Sequence, residues 1–262
     1  MKKIIATTFC SIMLCSLLVL ITAGTTMAAE PGYERISYAT QVYPTIDGMW
    51  TSEDEWTDGD ITMIGTDVAF RSTWEYIDVA TTRWIVEFFS DTTDDPGDYW
   101  QFCIDGDQSG GSSPQVGVHR KFEITGHTDL AWYMGDGTGG WTEVSLDASE
   151  IEWANSLSAS PTDSTPHWIL EFNIVKNTGT VQLGILWNFR LAVYDASNSE
   201  AGVLAWPPTD ADIPDTWGIE NYSSEAIPEG LTFGVMVLLS SVSVLVGYKY
   251  FVKRKETKAE AQ

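Results

Sequence analysis

The sequence predicts an all-β protein, an antiparallel β-sandwich carried between a signal peptide and one C-terminal transmembrane helix. Three observations lead there. Runs rich in Val, Ile, Phe, Tyr, Trp and Thr recur about every 10 to 15 residues from Gln41 to Tyr194. Clusters of Gly, Pro, Asp and Ser separate them, and no long apolar stripe of period 3.6 interrupts the pattern.

In chain order, Lys2-Lys3, the apolar stretch Ile4 to Ile21 and the small residues Thr25 to Ala29 have the sequence of a secretory signal, so residues 1–28 are expected to be removed. A retained N-terminal transmembrane helix is the alternative; either way the middle of the chain is exported. Residues 29–40 read as an N-terminal lead and 41–222 as the β-sandwich. Strands are expected near Gln41 to Ile46, Asp60 to Ile64, Val68 to Tyr76, Arg83 to Ser90, Tyr99 to Ile104, Val116 to Ile124, Leu130 to Met134, Trp141 to Ser145, Ile151 to Ser156, Trp168 to Val175 and Gly184 to Tyr194. Turns fall at Asp94 to Gly97, Asp105 to Gly111, Gly135 to Gly140 and Lys176 to Gly179, where Gly supplies left-handed backbone and Asp bonds its own turn. Residues 223–230 form a linker.

Leu231 to Tyr248 then runs for 18 residues without a charge, followed by Lys249, Lys253, Arg254, Lys255 and Lys258. As a helix, 231–252 spans roughly 33 Å, enough to cross a hydrocarbon core. The basic residues that follow place the tail 253–262 in the cytoplasm and the domain outside a cell membrane that it spans once.

Charge narrows the partners. Between Glu30 and Glu229 there are 35 acidic residues against 7 Lys and Arg, which repels nucleic acid and anionic lipid surfaces and favours cations, neutral ligands or a salty medium. Most of these acids read as a solvated surface. All 12 tryptophans lie between Trp50 and Trp217. Cys103 is the single cysteine outside the removable segment, so no internal disulfide is expected, and it reads as a small buried hydrophobe.

Several segments together resemble a known family. Thr45-Ile46-Asp47-Gly48 followed by Asp54-Glu55-Trp56, the strand Trp84 to Asp91, the turn Cys103-Ile104-Asp105-Gly106-Asp107 with Gly110-Gly111, and His167 to Ile174 resemble, in order, the "IDG…EW", aromatic-strand, "D-x-D…G" and "W-x-x-E-F-x-I" segments of family 9 carbohydrate-binding modules and the wider DOMON-like sandwiches. The likeness covers roughly Val42 to Tyr194; Val175-Lys176 stands where that family usually has proline. It implies a jelly-roll-like sandwich that binds sugars on exposed tryptophans, often with structural calcium. Other DOMON-like domains bind haem, and many archaeal surface members have no known ligand. Ile227-Pro228-Glu229-Gly230 before the apolar run also resembles the tripartite sorting signals of archaeal surface proteins, with Gly230 standing where phenylalanine is expected.

The candidate sites follow. Asp105 and Asp107 in their Gly-rich turn, with Asp94 and Asp95 on the Asp91 to Asp98 loop, offer hard oxygen ligands for Ca²⁺ if the two loops meet at one end of the sandwich; plain Asp-Gly turns are the alternative. For a sugar, Trp100 and Trp132 lead because each adjoins a Gly- and Asp-rich turn, with Trp141, Trp187 and Trp206 behind them; core packing competes at each ring. His119, His127 and Met134 carry the haem or copper alternative, and no C-x-x-C-H supports it. Glu171 with Asp105 or Glu87 would be a glycosidase dyad, but with so many acids some pairing is bound to arise, and no hydrolase or nucleotide motif is present; the chain reads as a non-enzyme. Asn221-Tyr222-Ser223 is its one exported N-glycosylation sequon. The expected function is a surface-anchored module for an extracellular glycan, the competing class a structural or adhesive cell-envelope protein without a small-molecule site. Exposed convergent rings favour the first and wholly buried rings the second.

Overall fold

The computed structural model describes residues 29–40, 42–57, 59–74, 81–145, 150–175 and 183–223. The expected signal segment, transmembrane stretch and tail lie outside them. Among the described residues, no helix is long and apolar enough to cross a membrane.

Among the described residues, thirteen strands make one continuous sheet: β1 Glu34–Ala39, β2 Thr62–Ile64, β3 Val68–Trp74, β4 Thr81–Phe88, β5 Tyr99–Asp105, β6 His119–Thr125, β7 Asp129–Gly135, β8 Trp141–Val144, β9 Ile151–Ser158, β10 His167–Val175, β11 Leu186–Tyr194, β12 Leu204–Trp206 and β13 Gly218–Ser223. Their order is β8-β7-β6-β5-β11-β13-β1-β3-β4-β10-β9, with β12 on β11 and β2 on β3. The sheet curls so that inward residues of β5, β6, β7 and β11 pack against those of β3, β4 and β10. Trp84 shows how tightly the halves meet. Its ring lies 4.9 Å from both Phe102 and Phe189, edge-on, and 5.9 Å from Phe172, stacked.

Most expected strands are present within a few residues. Three were missed. β1 falls in the stretch read as a lead, β13 lies in the sandwich beyond the last expected strand, and β12 pairs on β11. Conversely, residues 42–46, read as part of the first strand, form none. β1 pairs in parallel with both β13 and β3, so the sheet is mixed rather than purely antiparallel. The reason lies in which face is polar. Inward positions of β1 are Arg35 and Ser37, and of β13 Glu220 and Tyr222, so the alternation that marks a half-buried strand is inverted. Arg35 is accommodated because its Nε lies 3.5 Å from the Glu220 carboxylate and its guanidinium lies over Phe70 and Trp84 at 4.8 and 5.2 Å.

A second, smaller core explains the two strongest motifs. The outward face of β4 and β10 is covered by the segment from Ile46 to Trp56, with Trp50, Trp56, Ile85 and Ile169 buried together. Glu171, fully buried on β10, accepts hydrogen bonds from the backbone N–H of Asp47 at 3.0 Å, that of Gly48 at 2.9 Å and Trp56 Nε1 at 2.8 Å. Glu55 in turn accepts from the N–H groups of Thr45 and Thr51. Gly48 has φ +79°, and a Cβ there would come 2.6 Å from the Asn155 backbone, so no other residue fits the turn. The "IDG…EW" and "E-F" segments are two halves of one clasp.

Beside this clasp, His167 Nδ1 lies 2.8 Å from the Thr165 carbonyl and Nε2 3.3 Å from Glu87 Oε1. Both ring nitrogens face acceptors, so both carry hydrogen and the ring is an imidazolium. Burial opposes the charge on each partner. The pair overrides it, raising the histidine above 6.5 with help from Thr165 and, with Ser160 and Thr162, holding Glu87 below 4.5. The raised histidine contributes stability present below pH 6.5 and lost as pH rises through its folded value; the depressed glutamate contributes stability lost as pH falls through its own. Wild type is expected to lose stability in urea melts from about pH 6.5 upward, and His167→Gln to lack that component. Parallel profiles for the two proteins would refute the charged pair.

Candidate functional site

The outward face of β5, β6, β7, β8 and β11 carries rings and charges in alternate rows. Along β5, Trp100, Phe102 and Ile104 point into the core, so Tyr99, Gln101 and Cys103 point out; on β11, Trp187, Phe189, Leu191 and Val193 point in, leaving Arg190 and Tyr194 outward. Register aligns Tyr133, Lys121, Cys103 and Arg190 in one row across four strands, and Glu123 beside Gln101 in the next. Neighbouring strands lie about 4.8 Å apart, so the row from Tyr133 to Arg190 is roughly 14 Å long.

The side chains on this face are held by one another. Gln101 accepts from Arg190 Nη1 at 2.8 Å and donates through Nε2 to Glu123 at 2.9 Å, while Arg190 Nε donates to the Thr209 carbonyl at 2.8 Å. Lys121 Nζ stands 4.4 Å from the Tyr133 ring centroid and 5.2 Å from that of Trp141. Trp141 donates through Nε1 to Asp212 at 2.7 Å and stacks on Trp217. At the other end Tyr99 stacks on Tyr194, centroids 5.4 Å apart. Tyr99, Tyr133, Trp141 and Tyr194 are all partly exposed. Chemically this is a row of hydrogen-bonding groups with fixed directions, flanked by flat apolar rings. Cys103 lies beneath it, buried, its thiol pushed up to about 12 by burial, which leaves it inert.

Trp100 and Trp132 are not on this surface. They are 1% and 2% exposed and belong to the core. The error is one of parity: each sits one residue from an outward position, and a one-residue step along a strand reverses the face. Phe102 and Ile104, in phase with Trp100, and Leu130 and Met134, in phase with Trp132, carried the signal. Trp187 and Trp206 are also buried, whereas Trp141 is on the face. Sequence reasoning passed over Tyr99, Tyr133, Tyr194, Gln101 and Arg190.

The two acidic loops do not meet. Asp98 precedes β5 and Asp105 ends it, so the Asp94 and Asp95 loop and the Asp105 and Asp107 turn stand at opposite ends of a strand about 20 Å long. At the far end Asp105 accepts from the backbone N–H of Ser109 and Gly110, and His119 Nε2 lies 3.7 Å away. Asp107 accepts from Ser109 as well; burial works against its charge, but these bonds hold it below 3.8. These two carboxylates order a turn.

At the near end a different set converges. Asp95, Asp98 and Asp195 have oxygens within 4.8 Å of one another, and Asp91 and His127 share Asp98 with them; Asp94 is exposed beside this group. The histidine's role is settled by its neighbours. Its Nδ1 accepts from Trp100 Nε1 at 3.4 Å, so the neutral ring carries its hydrogen on Nε2 and donates to Asp98 Oδ2 at 3.2 Å. Burial lowers its pKa, in keeping with the neutral form. Asp91 is 1% exposed, and its Oδ2 has no hydrogen-bond partner. Burial, with Asp98, Asp195 and Asp95 nearby, pushes its carboxyl up to about 7. An orphaned buried oxygen among three further carboxylates fits a hard cation, and with His127 committed as a donor the side-chain ligands are all oxygen.

No protein-family profile and no curated protein matches the chain. Among solved structures it is similar to a family 9 carbohydrate-binding module from Caldicellulosiruptor kristjanssonii in complex with cellotriose, at 15% identity and a TM-score of 0.49, over 74% of this chain and 99% of that one. The same module in complex with glucose gives 14% and 0.47, over 74% and 100%. A candidate carbohydrate-binding protein from Bacteroides uniformis gives 13% and 0.42, over 73% and 100%.

Proposed function

We propose that this chain is a non-enzymatic glycan-binding module of the cell surface, exported by its N-terminal segment and tethered through residues 231–252. The observation that carries the reading is the outward cluster of Glu123, Gln101 and Arg190, joined by hydrogen bonds, with Lys121 4.0 Å from Glu123, partly exposed Tyr133 and Trp141 at one end and partly exposed Tyr99 and Tyr194 at the other. A pyranose offers an apolar face to the rings and equatorial hydroxyls to the polar row. A bound calcium ion held by Asp91, Asp95, Asp98 and Asp195 supplies positive charge where four carboxylates converge, and it fixes the loops next to Tyr99 and Tyr194.

Titration of a panel of neutral oligosaccharides tests the reading. Wild type binds; Tyr133→Ala and Trp141→Ala bind several-fold more weakly, since a stacked ring contributes about 0.5–1.5 kcal/mol beyond its buried area, and both keep the wild-type melt. If wild type binds no glycan, the competing envelope-protein reading replaces this one.

A further inference from the structure

Across β1, β13 and β11 runs an open groove of about 330 Å³ lined by Glu34, Arg35, Ile36, Leu186, Ile219 and Asn221. Three observations converge on it. Register places Asn221 of β13 directly between Ile36 of β1 and Leu186 of β11, all three on the outward side. The strip around it is apolar and wet: Ile36 is 40% exposed and the neighbouring Ile185 73%. Asn221 itself is exposed, and its amide has no hydrogen-bond partner among the described residues. It is also the acceptor residue of Asn221-Tyr222-Ser223.

We infer that Asn221 is N-glycosylated and that the first sugars of this glycan lie back in the groove over Ile36 and Leu186, covering an apolar strip that would otherwise face water. In the transfer, Asn221 Nδ2 bonds to the anomeric carbon of an oligosaccharide activated as a lipid-linked phosphate. The carbon's bond to phosphate oxygen breaks, the lipid phosphate leaves with the bonding pair, and the amide proton passes to a base of the transferase. The inference rests on export of the domain, but not on the glycan-binding row, which lies on a different part of the sheet. Nor does Asn221 offer an open edge to a strand-adding partner, because β13 is paired with β1 on one side and with β11 on the other.

The test uses full-length protein from its own cells. Peptide mass analysis is expected to find Asn221 carrying a glycan and Asn221→Gln lacking that mass. The variant is expected to melt about 2 to 4 °C lower and to bind an apolar dye more strongly, and Ile36→Ser in the Asn221→Gln background should reverse the gain in dye binding. Protease treatment of intact cells separates the failures. A domain that protease removes yet is unmodified at Asn221 overturns glycosylation alone; a domain that protease cannot reach overturns export and this inference together. A glycan whose loss changes neither melt nor dye binding, or a dimer formed across this face, overturns the seating.

Discussion

Glu171→Ala is expected to cost the domain about 4–5 kcal/mol, an effect at the upper end for a single substitution. The change removes one carboxylate but strands two buried donors, the N–H of Gly48 and the indole of Trp56, and frees the part-buried N–H of Asp47. Each unsatisfied buried donor costs about 1–3 kcal/mol. Trp50 and Trp56 then lose the clasp that holds them over Ile85 and Ile169. Urea unfolding of the purified domain measures the loss as a lower midpoint, and native-state hydrogen exchange should show Asp47 and Gly48 opening first. Glu171→Gln, which keeps one acceptor oxygen, should lose less. A Glu171→Ala midpoint within about 1 kcal/mol of wild type would show that the clasp is held by apolar burial alone.

Removing a divalent cation should have the second-largest effect. A ligand that binds only the folded state stabilises it by about 2.7 kcal/mol at 100 times its dissociation constant. For a domain of this size that is roughly 5 to 10 °C in melting temperature. The domain is expected to melt higher in millimolar Ca²⁺ than in EDTA, and Asp98→Asn and Asp195→Asn to abolish the difference. Asp105→Asn, at the far end of β5, should retain it even if its own stability falls. Coincident melts of wild type with and without calcium would sink the site. Glycan affinity should fall together with the cation, because Asp98 and Asp195 immediately adjoin Tyr99 and Tyr194.

Strands built from short runs of β-branched and aromatic residues between turn residues were legible because such composition is a local property of the chain. The runs around Tyr99, Arg83, Trp168 and Gly184 were placed to within a few residues for that reason. β1 and β13 were not, since their inward side chains are Arg35, Ser37, Glu220 and Tyr222, and only the partner strand makes burying an arginine or a glutamate tolerable. Parallel pairing was equally invisible, because it depends on which distant strands come together rather than on any residue's own neighbours.

From its sequence alone, this chain is an all-β domain with a strongly acidic surface, with motifs spaced so that an Asp-Gly turn, a Glu-Trp pair and an E-F strand can meet. These are matters of composition, propensity and period, carried by each stretch of chain. Which rings face water, and which acids face one another, was decided only by the fold. The face of Trp132 is fixed by its phase relative to Phe122 across β6 and β7. The grouping of Asp91, Asp98 and Asp195 is fixed because β4 ends, β5 begins and β11 ends on the same side of the sandwich, while Asp105, only seven residues beyond Asp98, is carried to the other side by one strand's length.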